Sequence, residues 1–383
     1  MSEWKETTIG EISDVVGGGT PSTSNEEYWE GDIPWLTPRD LTTHKGVEIS
    51  KGERSITQTG LDNSSARLMP EGTVLVTSRA PIGYVAIASN PISTNQGFKS
   101  LIPKEGVVDG EFLYYWVKNN VEYLEANGSG TTFSEISGTV VKQLEISLPP
   151  HAEQRKISKI LRSLDDKIDL LHRQNQTLEQ MAETVFRQWF VENPNPEWEE
   201  RPLSSIATFL NGLACQKYPP QNDVDKLPVL KIKELRNGIT EDCDWCTTEV
   251  DEKYIVENGD VIFSWSASLM VKIWDGETCI LNQHLFKVTS EEFPKWYFYL
   301  WSKFLLDQFI AIARAHATTM GHIKRGDLDE AMVLVPSEDE IDQMSVDFEP
   351  ILEKTIENNN QIRTLTALRD TLLPKLMSGE VRV

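Results

Sequence analysis

The chain has 383 residues, a formal net charge of −22 and 39% hydrophobic residues including 11 Trp. That length exceeds one compact core and fits two or more domains, and the apolar content excludes a disordered chain. The acidity argues against a nucleic-acid binder, because phosphate contacts need Lys and Arg. Residues 1–150 carry 11 basic and 20 acidic side chains, and residues 197–336 carry 14 and 22, so any role on nucleic acid rests on local patches or on partner subunits. No run approaches 18 apolar residues, so no membrane span is expected. The N-terminus has no basic segment leading into an apolar one, and four cysteines make no disulfide framework, so a cytoplasmic location is expected.

In chain order, the first 150 residues are mixed and rich in turns. Strands are predicted over Thr73 to Thr77 and Tyr84 to Ala88, bounded by Gly, Pro, Asn and Ser, with a helix over Glu111 to Glu125. Pro149-Pro150 then opens a segment, His151 to Phe190, without Gly or Pro. A second turn-rich stretch follows, with a strand over Asp260 to Ser264 and a helix over Lys295 to Arg314. Another proline boundary at Val335-Pro336-Ser337 leads into a final helical segment.

The second half repeats the first. Trp4, Ile12, Gly18, Pro34, Leu36 and Leu41 match Trp198, Ile206, Gly212, Pro228, Leu230 and Leu235 at an offset of 194. Beyond a length change the offset becomes 187: Gly72/Gly259, Val74/Val261, Asn95-Gln96/Asn282-Gln283, Thr131-Thr132/Thr318-Thr319, Glu153/Glu340, Lys167/Lys354, Gln174/Gln361 and Leu178/Leu365. A tandem duplication follows.

Both helical segments carry an apolar stripe. Ile157, Leu161, Leu164, Ile168, Leu171, Leu178, Val185 and Trp189 alternate by four and three, the spacing of a coiled-coil seam, with Asn175 and Ala182 in the gaps. The C-terminal stripe is Ile341, Met344, Phe348, Ile351, Ile362, Leu365 and Leu372, with Thr355, Asn358 and Arg369 in its gaps. A helix of forty residues spans about 60 Å, and neither stripe can be covered by its own helix. The expected fold is α+β: two similar globular domains separated by two long helices that form an antiparallel coiled coil, a pseudo-twofold tandem repeat. The expected boundaries are 1–150, a central helix over 151–192, a linker and second domain over 193–336, and a C-terminal helix over 337–383. Asn175 is expected to face Asn358 across the seam. The alternative is that each helix packs only on its own globular domain.

The chain resembles the specificity subunits of Type I restriction-modification systems over its full length. The resemblance lies in the GGGTPS turn at Gly17 to Ser22 leading into EYWEGDIPWLTPRDL, in SRAPIG at Ser78 to Gly83, in LPPHAEQRKISKIL before the central helix, and in the terminal LLPKLMSGEVRV. It implies two target recognition domains that read the two parts of a bipartite, non-palindromic site on double-stranded DNA. The helices would act as a ruler between them and would dock two methyltransferase subunits, with motor-nuclease subunits joining through the complex. S-adenosylmethionine, ATP and Mg would belong to those partners, leaving this subunit without cofactor or catalysis of its own. The second copy departs from the pattern, with LNGLACQKYPP in place of the glycine-rich turn and SWSASLM in place of TSRAPIG.

Arg reads guanine, and Asn or Gln reads adenine, through paired hydrogen bonds. The candidates in the first copy are Arg39, Asp40, Thr77, Ser78, Arg79, Asn95, Gln96 and Lys99, with Thr131 and Thr132 in a polar loop. In the second they are Lys231, Lys233, Arg236, Asn282, Gln283, Lys324 and Arg325, with Thr318 and Thr319. For each, the competing reading is structural: a turn closed by Asn95-Gln96, an ion pair at Arg39, or solvated charge. Cys243 and Cys246 form one CxxC that lacks the second ligand pair a structural zinc site needs, so no metal is expected. A GxxxxGK[ST] phosphate loop and an Asn-Pro-Pro-Tyr methyltransferase motif are both missing. A metal-dependent nuclease and a protein scaffold without DNA remain the alternatives to a DNA-reading subunit.

Overall fold

A computed structural model describes residues 4–42, 44–130, 134–315 and 321–383. It divides into two compact units: residues 1–170 with 364–383, and residues 171–363. Each long helix therefore contributes one end to each unit.

In the first unit, the strands Ser13–Gly17, Lys99–Pro103, Val74–Ser78, Ile82–Ala88 and Glu48–Ile49 form a five-stranded sheet in that order. A three-stranded sheet holds Arg54–Ile56, Trp29–Leu36 and Ser93–Thr94, with the last two parallel. A short antiparallel pair, Lys5–Thr8 with Glu145–Leu148, closes the domain next to the central helix. The helix Gly110–Asn119 turns Phe112, Leu113, Tyr115 and Trp116 into the core.

The second unit builds the same arrangement from its own residues. Thr208–Asn211, Leu285–Thr289, Val261–Ser264 and Met270–Ile273 form one sheet; Trp245–Thr247, Lys226–Leu230, Cys279–Leu281 and Ile255–Val256 form the other. Leu36 pairs with Thr94 in parallel, as Leu230 pairs with Leu281. Gly72 and Gly259 both adopt positive φ, +82° and +90°, a region open mainly to glycine. The repeated Trp and Glu make the same contact in each copy: Trp4 Nε1 donates to Glu153 at 3.4 Å and Trp198 Nε1 to Glu340 at 3.0 Å.

Two predicted helices are each broken in two. The helix expected over Glu111 to Glu125 stops at Asn119 and restarts at Val121. The Asn120 side chain donates to Trp116 O at 2.8 Å, the local competition by which Asn ends helices. The helix over Lys295 to Arg314 breaks after Phe304 and resumes at Leu306.

The central helix runs from His151 to Arg187, and its last turn widens to a π-turn over Gln188–Glu192. There Phe186 and Phe190 stack at 4.8 Å and both reach Trp301. The C-terminal helix runs from Glu338 to Met377. In the first unit Ile157 and Leu161 are buried in one cluster with Leu373, Leu376 and Met377. Ile168 is buried and Leu164 half-buried. Arg369 Nη1 meets Asp165 at 2.7 Å, and Tyr115 donates its hydroxyl to the same carboxylate at 2.9 Å. In the second unit Phe348 is fully buried against Trp296, stacked at 4.3 Å, while Leu178, Ile351 and Ile362 are half-buried, as is Leu365 in the first unit. Residues early in one helix meet residues late in the other within each unit, so the pairing is antiparallel.

Asn358, fully buried, donates to Asn175 Oδ1 at 2.9 Å, and Asn175 donates to Asn359 Oδ1 at 2.6 Å. Asn358 Oδ1 has no partner, so part of the cost of burying this amide is not offset. A polar seam pair of this kind specifies register at the expense of stability. The double variant Asn175→Leu/Asn358→Leu should therefore melt higher, by about 2–4 °C for a gain of about 1 kcal/mol. Calorimetry reads this, and a lower midpoint would make the amide pair a net stabiliser.

Glu340 gives a pH test. Its carboxylate accepts from the backbone N–H and hydroxyl of Ser337, and from Trp198 and Asn195, which hold it down at about 2. A carboxylate depressed on folding stabilises above its unfolded value of about 4.3, and that contribution is lost as the pH falls towards 2. Glu340→Gln should flatten the loss of stability between these two limits, as followed by acid titration of the unfolding midpoint.

Candidate nucleic-acid interface

The Asn-Gln turn of each unit is crossed by an N-terminal loop at a distance that leaves no space for a side chain. A Cβ on Gly18 would lie 2.0 Å from Asn95 O, and one on Gly212 would lie 2.4 Å from Asn282 O. The repeated glycine thus lets the N-terminal loop of each unit cross over its Asn-Gln turn. Gly19 N donates to Thr94 O and Leu213 N to Leu281 O, both at 2.9 Å. In the first unit the glycine-rich loop is further pinned by two indoles: Trp35 Nε1 donates to Gly19 O at 2.9 Å and Trp29 Nε1 to Ser22 O at 3.1 Å.

The turns that follow the Val74–Ser78 and Val261–Ser264 strands are equivalent despite their different sequences. Ala80 and Ala267 both take positive φ, +53° and +57°. Thr77 Oγ1 donates to Pro81 O at 2.7 Å and Ser264 Oγ to Ser268 O at 2.8 Å. Ser78 N donates to Gly97 O, and Trp265 N to His284 O. Arg79 bridges to Glu135 as Ser266 bridges to His322. The departure of SWSASLM from TSRAPIG therefore leaves the positive φ and the hydrogen bonds of the turn in place.

Several candidates have structural work. Thr77 is fully buried and also accepts from Tyr84 N, so its hydroxyl is consumed inside the turn. Ser78 is buried at 1% exposure. Asn95 Oδ1 accepts from Gly97 N at 2.8 Å, and Asn282, buried, does the same for His284 N at 3.3 Å. Asp40 accepts from Thr37 N at 2.7 Å and Glu53 N at 2.8 Å, just as Glu234 accepts from Lys231 N at 3.3 Å. Lys99 lies 3.3 Å from both Ser78 Oγ and Glu135, and Arg79 lies 3.5 Å from Glu135.

Other candidates face solvent. Arg39 projects from the short helix Pro38–Thr42 into an open cavity of 660 Å³, shared with His44, Glu48, Lys51 and Glu53. Burial pushes the His44 imidazole below its usual value. Gln96 is exposed and accepts from Thr20 Oγ1. On the matching helix of the second unit, Ile232–Asn237, Lys231 pairs with Asp244 and Lys233 with Asp242, while Arg236 is exposed. Exposed pairs of this kind are worth about 0–1 kcal/mol, so phosphate can replace the carboxylate. Gln283 meets His284 Nε2 at 3.3 Å. Lys324 and Arg325 are exposed, and Arg325 donates to Phe209 O at 3.4 Å. Thr131, Thr132, Thr318 and Thr319 lie outside the described residues.

Sequence reasoning missed Thr20, Glu135, Trp265 and His284. Trp265 packs 5.9 Å from His284 and 6.3 Å from His322, and donates to Asn211 at 3.1 Å. Alignment of SWSASLM with TSRAPIG by backbone role would have found this cluster. Among the described residues no group of three His, Cys, Asp or Glu side chains could hold a metal, and all four cysteines are buried free thiols. No described helix is long and apolar enough to cross a membrane.

Two α+β units of similar topology, each tied to both long helices, define a tandemly duplicated protein. The family model of the Type I restriction modification DNA specificity domain matches residues 1–180 and 195–366, and the chain belongs to that family as a Type I specificity subunit. It is 35% identical to the Type I restriction enzyme MjaIX specificity subunit of Methanocaldococcus jannaschii, over 100% of this chain and 94% of that one. It is 22% identical to the HindI specificity subunit of Haemophilus influenzae, with both chains fully covered. Its fold is similar to that of the crystal structure of the Type-I restriction-modification system S subunit from M. genitalium, with a TM-score of 0.63 at 17% identity over 97% of this chain and 96% of that one.

Asp40 and Arg39 are neighbours with separable roles. Asp40→Ala should orphan two backbone N–H groups and destabilise the first unit by about 1–3 kcal/mol. Arg39→Ala should leave the melting temperature within about 1 °C, because a surface substitution away from such features costs under about 0.5 kcal/mol. Parallel thermal unfolding of both variants checks the pair.

Proposed function

We propose that the two units read the two unlike parts of a split, non-palindromic sequence on double-stranded DNA. The observation that carries this reading is the repeated turn cluster, in which the same backbone displays Thr20, Arg39, Arg79 and Gln96 in one unit and Lys233, Trp265, Gln283 and His284 in the other. Equivalent scaffolds with unlike exposed side chains suit unlike half-sites, as identical subunits suit palindromes. Loops on rigid sheets are where such readers belong.

In this reading the chain is a binder. The long helices act as the ruler between half-sites and as the docking surface for two methyltransferase subunits. Motor-nuclease subunits join through that complex, and S-adenosylmethionine, ATP and Mg belong to the partners. The net charge of −22 fits such a division of labour, because partner subunits would supply most phosphate contacts and leave base reading to this chain.

Co-expression with the cognate methyltransferase and mapping of the methylated DNA tests the proposal. The expected result is a motif of two different half-sites separated by a fixed gap. A stable complex that methylates without a split motif would instead favour the scaffold reading. The isolated chain should bind a cognate duplex at least about tenfold more weakly at physiological salt than the methyltransferase complex does, measured by fluorescence anisotropy.

A further inference from the structure

Gln96 and Gln283 occupy equivalent positions, each beside a turn-closing asparagine, but opposite ends of their amides are tethered to the protein. Gln96 is held through its oxygen, which accepts from Thr20 Oγ1. Its amino group is the end left outward, with two N–H donors. Gln283 is held through its nitrogen, 3.3 Å from His284 Nε2. An amide nitrogen only donates, so His284 Nε2 accepts and the ring proton sits on Nδ1, where Ser266 Oγ lies at 3.3 Å. The carbonyl oxygen of Gln283 and one remaining N–H are then left outward. His284 is itself oriented by Trp265, 5.9 Å away.

We propose that Thr20 and His284 are specificity-determining residues that set these two glutamines to read opposite chemistry in the major groove. The inference rests on the DNA-reading function proposed above. Gln96, donor outward, selects a base with acceptors at the groove edge: guanine through O6 and N7, or thymine through O4. Gln283, carbonyl outward, selects a base with an amino group: adenine, using the remaining N–H on N7 as well, or cytosine. One residue type at one position of the repeat therefore reads different bases in the two half-sites, because a neighbouring side chain fixes which end of the amide faces DNA.

The test uses the full chain in complex with its methyltransferase and maps methylated sites for Thr20→Val and His284→Phe, which keep the size of each side chain and remove the tether. Thr20→Val should weaken discrimination about tenfold at one position of the first half-site and leave the second unchanged. His284→Phe should do the converse. The untouched half-site shows in each case that the complex is folded and docked. Gln96→Met and Gln283→Met should relax the same two positions. Where methylation is too weak to map, competition binding by the purified complex among duplexes differing at one base pair reads the same discrimination.

Wild-type stringency at every position in both tether variants would overturn the inference, as would relaxation at positions other than those affected by the methionine variants. A wild-type complex without a split motif would instead overturn the DNA-reading proposal itself.

Discussion

The structure depends on two apolar stripes that neither long helix can cover alone. Burial of apolar surface is worth about 25 cal/mol per Å², so a helix the length of His151–Arg187 or Glu338–Met377 must find a partner along its whole stripe. Each finds it in the other helix and in the globular part of the unit. Phe348 stacks on Trp296 of one domain while Leu376 joins the core that holds Tyr115 and Trp116 of the other. The domains are anchored to the helices by these cores, with the repeated Trp–Glu contacts at Trp4–Glu153 and Trp198–Glu340 closing the base of each.

Polar groups then decide how the stripes align. Leucines and isoleucines tolerate a slip of one heptad, whereas Asn175 with Asn358 and Asp165 with Arg369 have partners in one register only. These pairs differ in chemistry between the two units, so a duplicated seam becomes directional. Asp165 also accepts from Tyr115, which ties helix register directly to the placement of the first domain's core helix.

The proposed DNA-reading surface sits at the opposite level of constraint. The backbone of the turn cluster is set by close approach at Gly18 and Gly212, by asparagine-closed turns and by hydroxyls buried inside a strand turn. These features recur in both units because the fold needs them. Apart from Gln96 and Gln283, the candidate side chains that point outward differ between the copies, as Arg39 differs from Lys233 and Gly97 from His284. An argument from repetition alone selects Asn95-Gln96 and Asn282-Gln283, whose asparagines hold the scaffold, and passes over Thr20, Trp265 and His284, which differ between copies and face outward or tether an outward group.

The sequence by itself determined the duplication, the two long helices and their stripes, because offset matches and heptad spacing are local properties of the chain. Helix-to-strand pattern also located the core strands to within a residue or two at Val74–Ser78 and Val261–Ser264. Only the tertiary structure decided which halves of the helices belong to which unit, where Asn120 breaks a helix, and that SRAPIG and SWSASLM make one turn. The reason is physical: hydrogen-bond partners such as Thr20 for Gln96, 76 residues apart, are set by chain crossings that leave no periodic trace in sequence.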